Sequence, residues 1–261
     1  MRRLFSALLL SCCTVAPAVS GADLQPYQLD YTAHYRNLAA TATRTLQADA
    51  NGHDWLLQSS VALELMGATV VRINETSRFG WQHNQPVSRE YAFVQTGLGS
   101  RERKLQFAED GHEAAFAIND EMGVLALAAP TFDNLNLLLV LRDQLAAGNT
   151  DISFPVADRG ELSMHRYQVV GEEQLTTAAG SFATVHLQRI REEGNTRTTD
   201  FWLARDHDYV LVKLLQTEPG GDNITLEVKQ GTLAGQPLAS PEPIAQTAVP
   251  GEAQGAGLSK P

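Results

Sequence analysis

Between residues 27 and 36, apolar and polar positions alternate: Tyr27, Leu29, Tyr31, Ala33 and Tyr35 fall on one side, and Gln28, Asp30, Thr32, His34 and Arg36 on the other. A period of two predicts a β-strand with one wet face. The same period returns at Trp55, Leu57, Ser59, Val61, Leu63 and Leu65, after a strand over 40–48 and an Asn51-Gly52 hairpin signal. Further strands are expected over 69–81, 86–94, 101–107 and 113–118, and residues 122–128 form another strand or an irregular buried segment. The chain is organised around residues 167–231. There, five short β-forming runs are separated by Thr177-Ala178-Ala179-Gly180, Glu193-Gly194-Asn195, Asp206-His207-Asp208 and Pro219-Gly220-Gly221-Asp222. Short β runs divided by turn residues predict an antiparallel meander.

One segment breaks the period. Residues 133–145 carry Leu137, Leu138, Leu141 and Leu145 at helical spacing, with Leu135 and Leu139 extending the apolar surface around the cylinder. Asp133 or Thr131 is a candidate cap and Gly148 a candidate terminator. A helix apolar over most of its girth is buried. In a β protein it packs into a concave sheet or across a barrel mouth.

The amino end changes the picture of compartment. Arg2 and Arg3 precede an apolar run over 4–15, followed by Ala16, Ala18, Ser20, Gly21 and Ala22. This is the layout of a secretory signal peptide, expected to be cut after Ala22, and the run is too short to span a bilayer as a mature helix. Leu9-Leu10-Ser11-Cys12 offers the alternative of a lipid anchor at Cys12. Both cysteines, Cys12 and Cys13, lie in this leader, so an ordinary cut leaves no thiol or disulfide. The formal charge of -10 becomes -12 once the two leader arginines are subtracted, which argues against nucleic acid as a partner. From Gln236 onward Pro, Ala, Gly and Ser dominate, and residues 236–261 are expected to be disordered. Residues 23–235 then form one domain: mostly β, a large antiparallel sheet making an open or partly closed barrel, with one buried helix.

Candidate chemistry is sparse. Asp206-His207-Asp208 is the most metal-like run, but consecutive strand residues point apart and Asp is an ordinary turn residue, so it reads as a turn. No two of the other histidines, His34, His53, His83, His112, His165 and His186, have the i, i+4 spacing of a zinc helix. No serine sits in a G-x-S-x-G elbow. Arg101, Arg103 and Lys104 form a small basic cluster that reads as a solvated strand face. No cofactor, metal site or catalytic residue is assigned.

The meander also carries a resemblance. Gly171-Glu172-Glu173-Gln174-Leu175-Thr176-Thr177 with Gly180-Ser181-Phe182, and Phe201-Trp202-Leu203-Ala204-Arg205-Asp206 with Tyr209-Val210-Leu211-Val212-Lys213-Leu214, resemble a bacterial family known only as domain-of-unknown-function family 3108. Asp133-x-Leu135 with Leu141-Arg142 is similar to its helical segment. The resemblance implies a secreted or periplasmic β protein and supplies no catalytic residues. The leading expectation is a non-enzymatic envelope protein that holds an apolar ligand, such as an acyl chain, between the sheet and the helix, with Leu135, Leu138, Leu141 and Trp202 as ligand-binding candidates. The alternatives are an envelope protein–protein interaction or assembly factor, and a hydrolase with a dispersed active site.

Overall fold

The computed structural model describes residues 24–36, 38–50, 52–127 and 130–238. The expected leader with Cys12 and Cys13, its cut at Ala22, and residues 239–261 of the expected tail lie outside the described residues.

The first eight strands form a meander: β1 (Tyr27–Tyr35), β2 (Leu38–Ala48), β3 (Asp54–Leu65), β4 (Ala68–Gln82), β5 (Gln85–Gly97), β6 (Arg101–Phe107), β7 (Glu113–Ile118) and β8 (Glu121–Ala126). The helix α1 (Leu137–Ala146) follows. A second meander then runs through β9 (Asp151–Asp158), β10 (Glu161–Thr177), β11 (Gly180–Ile190), β12 (Thr198–Ala204), β13 (Val210–Thr217) and β14 (Asn223–Leu233). β1 pairs with both β2 and β14, so the two meanders share one antiparallel sheet in the order 8-7-6-5-4-3-2-1-14-13-12-11-10-9. β8 and β9 are its two ends and do not pair with each other: the barrel is open. A short β15 (Gln236–Pro237) pairs with β14, and Leu238 beyond it is buried. Ordered pairing thus continues two residues past the expected start of the tail.

The β9 strand was not anticipated, because Pro155 interrupts its alternation. Proline lacks the donor a ladder needs and is tolerated on an edge strand. Here the edge is covered: the Phe132 amide donates to the Pro155 carbonyl (3.1 Å), and the Ala157 amide to that of Phe132 (2.8 Å).

The helix begins four residues later than its apolar pattern predicts. One carboxylate oxygen of Asp133 accepts the amides of Leu135 and Asn136, both at 2.8 Å, and the Asn136 amide oxygen accepts the Asp133 amide at 3.0 Å. These local bonds hold residues 133–136 in a turn and compete with helix there. The cap residue is Asn136, and it makes no side-chain capping bond. At the other end Gly148 takes φ +83, with its amide bonded to the Leu145 carbonyl and that of Asn149 to Gln144. This is the glycine-terminated C-cap that the sequence suggests.

The helix and the turn leading into it divide their apolar side chains between two cores. Leu137, Val140, Leu141 and Leu145 pack with Phe154, Tyr167, Leu187 and Phe201 of the second meander. Leu135 and Leu139 pack with Leu46, Leu57, Phe79 and Tyr91 of the first. The helix therefore fills one end of the half-barrel and ties its two sides together.

Candidate functional site

Register partners in a sheet share a face, so the pairing can be read as rows across the first meander. The row Tyr27, Leu46, Leu57, Ser77, Tyr91, Leu105 lies under the helix. The next row is Leu29, Arg44, Ser59, Glu75, Phe93, Arg103. Beyond it come Tyr31, Ala42, Val61, Ile73, Gln95, Arg101, and then Ala33, Ala40, Leu63, Val71, Gly97. One concave face thus has a helix-filled end, a belt containing charges, and an apolar open end.

The belt is bonded to the elements around it. Arg44 is buried and donates through Nη2 to the Leu135 carbonyl at 2.8 Å, fixing the approach to the helix. Glu75 accepts the Tyr91 hydroxyl at 2.8 Å. Burial pushes the Glu75 carboxyl up, against the opposing effects of that bond, Arg44 and Arg103. The basic cluster read as a solvated face is corrected here. Arg103 points inward over the Phe93 ring, 3.9 Å from its centroid, and bonds Asp158 at 2.7 Å, because its register partner is Phe93 on the concave side. Next to the belt, Ser77 donates at 2.6 Å to Asp133, which has no accessible surface.

At the open end the apolar rows line a cavity of about 640 Å³. Its walls are Ala33, Tyr35, Ala40, Val61, Leu63, Val71, Ile73, Ile224 and Leu226, and its polar margin includes His34, Gln95, Arg101, Glu218 and Asp222. Beside it, the β3–β4 turn and the loop after β5 carry exposed Leu65, Met66 and Leu98, and Met66 is wholly accessible.

The four residues singled out from sequence do not meet in one site. Leu141 has no accessible surface and Leu135 is buried in the other core. Leu138 is partly buried and borders a cleft of only about 20 Å³. Trp202 alternates with Phe201 and Leu203, which face the helix, so it turns to the opposite side of β12. There it stacks on His186 (4.4 Å, 9°), donates to the Glu173 carboxylate, and lies under Lys213. Strand periodicity groups Val61 and Leu63 on one face of their strand and places Val71 and Ile73 in the next strand. Only their alignment across strands makes them a cavity wall.

The other titratable groups are dispersed. Asp206, His207 and Asp208 sit at a 3-10 turn and go three ways: Asp206 lies beside Arg205, His207 packs its edge against Phe182, and Asp208 binds Arg142 of the helix at 2.7 Å. Among the described residues, no three His, Cys, Asp or Glu side chains converge as a metal site. His165 is buried on β10. Its Nε2 lies 2.6 Å from the Arg189 guanidinium and its Nδ1 3.2 Å from the Tyr167 hydroxyl. Arginine only donates, so Nε2 accepts and the ring proton sits on Nδ1.

The profile of a family described as "Protein of unknown function (DUF3108)" matches residues 27–229. No curated protein matches the sequence. Among solved structures, a β-barrel-like protein of domain of unknown function DUF1849 from Brucella abortus is similar at a TM-score of 0.53 with 7% identity, covering 80% of this chain and 98% of that one. A porin-like protein from Bacteroides uniformis gives a TM-score of 0.32 at 8% identity, covering 80% of this chain and 95% of that one. The first likeness supports the barrel-like fold. No helix among the described residues is long and apolar enough to cross a membrane.

Proposed function

The chain belongs to the DUF3108 family of proteins of unknown function, and from that premise we propose that it is a non-enzymatic binding protein for an apolar ligand, such as a lipid acyl chain, acting outside the cytoplasm. The observation that carries this reading is the open-end cavity. At about 640 Å³ it falls within the range of small-molecule sites, and it has the expected make-up of apolar walls with a few polar groups at the margin. The ligand position moves from the sheet–helix interface around Leu138 to the apolar rows at Val61 and Ile73, because the space beside Leu138 is only about 20 Å³. Exposed Leu65, Met66 and Leu98 beside the cavity suit transfer from an apolar donor surface.

The test is titration of the delipidated protein with a fluorescent fatty acid. Saturable binding is expected, with Val61→Trp displacing the probe at little cost to the fold. Leu138→Trp is expected to lower stability, because a cleft of about 20 Å³ is too small for the added ring, and to leave probe affinity unchanged. Absence of saturable binding, or an affinity indifferent to Val61→Trp, would refute the proposal. A second reading, docking of a protein strand, draws on β8, an end strand with exposed Met122 and Val124.

A further inference from the structure

The second meander contains an arrangement of arginines that apolar binding does not use. Around β10–β12, Arg159, Arg166 and Arg197 each have a carboxylate: Asp158 at 3.3 Å, Asp151 at 2.6 Å and Glu218 at 2.6 Å. Arg189 and Arg191, two positions apart on the same strand side, have no ion pair among the described residues. Arg189 gives one N–H to His165 and Arg191 gives one to Thr199 at 2.9 Å. The Nε of Arg191 is buried with no hydrogen-bond partner. Both residues line a cavity of about 380 Å³ together with Ser163, Arg166, Glu192 and Asn195.

Two adjacent cations with no direct ion pair repel each other, and the surroundings reflect it. Burial and then Arg189 push Arg191 down to about 10. Burial and then Arg189 and Arg191 push His165 down to about 3. The histidine therefore stays neutral and works as an acceptor that orients Arg189, adding no charge. An anion carrying several oxygens would neutralise the pair and accept the donors they have left, a geometry for which arginine is suited.

We propose that Arg189 and Arg191, with Ser163 and Asn195 at the margin, form a binding site for a phosphate-type oxyanion. The inference stands apart from the apolar cavity, but the two places are connected. Thr199 and Gln216 continue from Arg191 by hydrogen bonds to Glu218, which lines the apolar cavity. The phosphate could therefore come from a lipid headgroup or from a free anion.

The experiment uses the full chain in phosphate-free buffer. Inorganic phosphate is titrated by calorimetry, and co-sedimentation is measured with vesicles of phosphatidylglycerol and, separately, phosphatidylcholine. Saturable phosphate binding is expected, weakened on the order of tenfold or more in the Arg189→Gln/Arg191→Gln double variant and unchanged in Arg205→Gln, which lies outside this cavity and whose charge is already matched by Glu172. Co-sedimentation with phosphatidylglycerol alone, lost in the double variant, identifies a lipid source; phosphate binding without co-sedimentation identifies a free anion. If the double variant fails to fold by circular dichroism, Arg189→Lys/Arg191→Lys replaces it and is expected to bind more weakly than wild type. The proposal is overturned if neither phosphate nor phosphatidylglycerol vesicles bind, or if the arginine variants bind as tightly as wild type. Neither outcome bears on the fatty-acid titration, so the two readings fail separately.

Discussion

Asp133 has no accessible surface, yet its carboxylate accepts a hydroxyl from Ser77 and amides from Leu135 and Asn136. Burial outweighs those bonds and raises it from 3.8 to about 6. The folded chain therefore holds this proton more tightly than the unfolded chain does, and the stability Asp133 contributes falls as pH rises from 3.8 to about 6. His165 acts with the opposite sign. Its folded value of about 3 lies below 6.5, so the unfolded chain takes up the proton first, and stability is lost as pH falls below 6.5. Urea midpoints measured across this window should separate the two. Asp133→Asn should reduce the loss on raising pH, leaving the part due to Glu75, Asp143 and Asp208, which are shifted in the same direction. His165→Gln should reduce the loss on lowering pH. Slopes identical to wild type in both variants would show that neither group is shifted as the geometry requires.

At the scale of the element, α1 shows how one helix can serve two cores. Leu141 is fully buried in the second-meander core, whereas Leu138 is partly buried and faces a small cleft. Leu141→Ala should destabilise by about 2–5 kcal/mol, the usual range for a leucine truncated in a closed core. Leu138→Ala should cost roughly half of that or less, since fewer neighbours are lost and the site already opens on free space. Denaturant unfolding of the two variants side by side decides this; equal losses would mean that the two positions are equally enclosed. The same helix is pinned from outside the cores by Arg142, which is buried and bonded to Asp208 of the 3-10 turn.

For the whole molecule, the consequential feature is that the barrel does not close by strand pairing between β8 and β9. Its ends meet through side chains: Arg103 of β6 reaches Asp158, and Gly160 in the β9–β10 turn lies against Phe116 and Ile118 of β7. Gly160 has φ +72, and a Cβ there would stand 3.1 Å from Phe116 and 3.3 Å from Ile118. Gly160→Val adds a β-branched side chain in a left-handed conformation and pushes the seam apart, at a cost on the order of 1–3 kcal/mol. Hydrogen exchange should speed up in β7, β8 and β9 while β2 to β4 keep their protection. An even rise over the whole sheet, or none, would show that the seam is not held at this turn.

How much of this could be read from the chain follows from how local each signal is. Alternation at Tyr27–Tyr35, the helix apolar over most of its girth and the turn residues of the second meander are short-range facts, and they determined the β class, the single helix and most strand positions. The shared face of Val61 and Leu63, and a strand carrying Val71 and Ile73, were likewise visible. Their union into a cavity was not, because it depends on registers accumulated over successive hairpins and on the bulges that shift them, as at Leu63/Glu64 and Arg78/Phe79. Trp202 illustrates the same limit. Its sequence neighbours Phe201 and Leu203 are core, and only the sheet's two-sidedness sends it the other way. Arg103 could not be told from a solvated arginine until its cross-strand partner was known. Arg189 and Arg191 became a pair without counter-ions only once the neighbouring carboxylates were seen to be bound to other arginines. Local periodicity determined the elements; which faces are filled, which stay open and which charges go unmatched was decided by the tertiary structure, because each depends on groups distant in sequence.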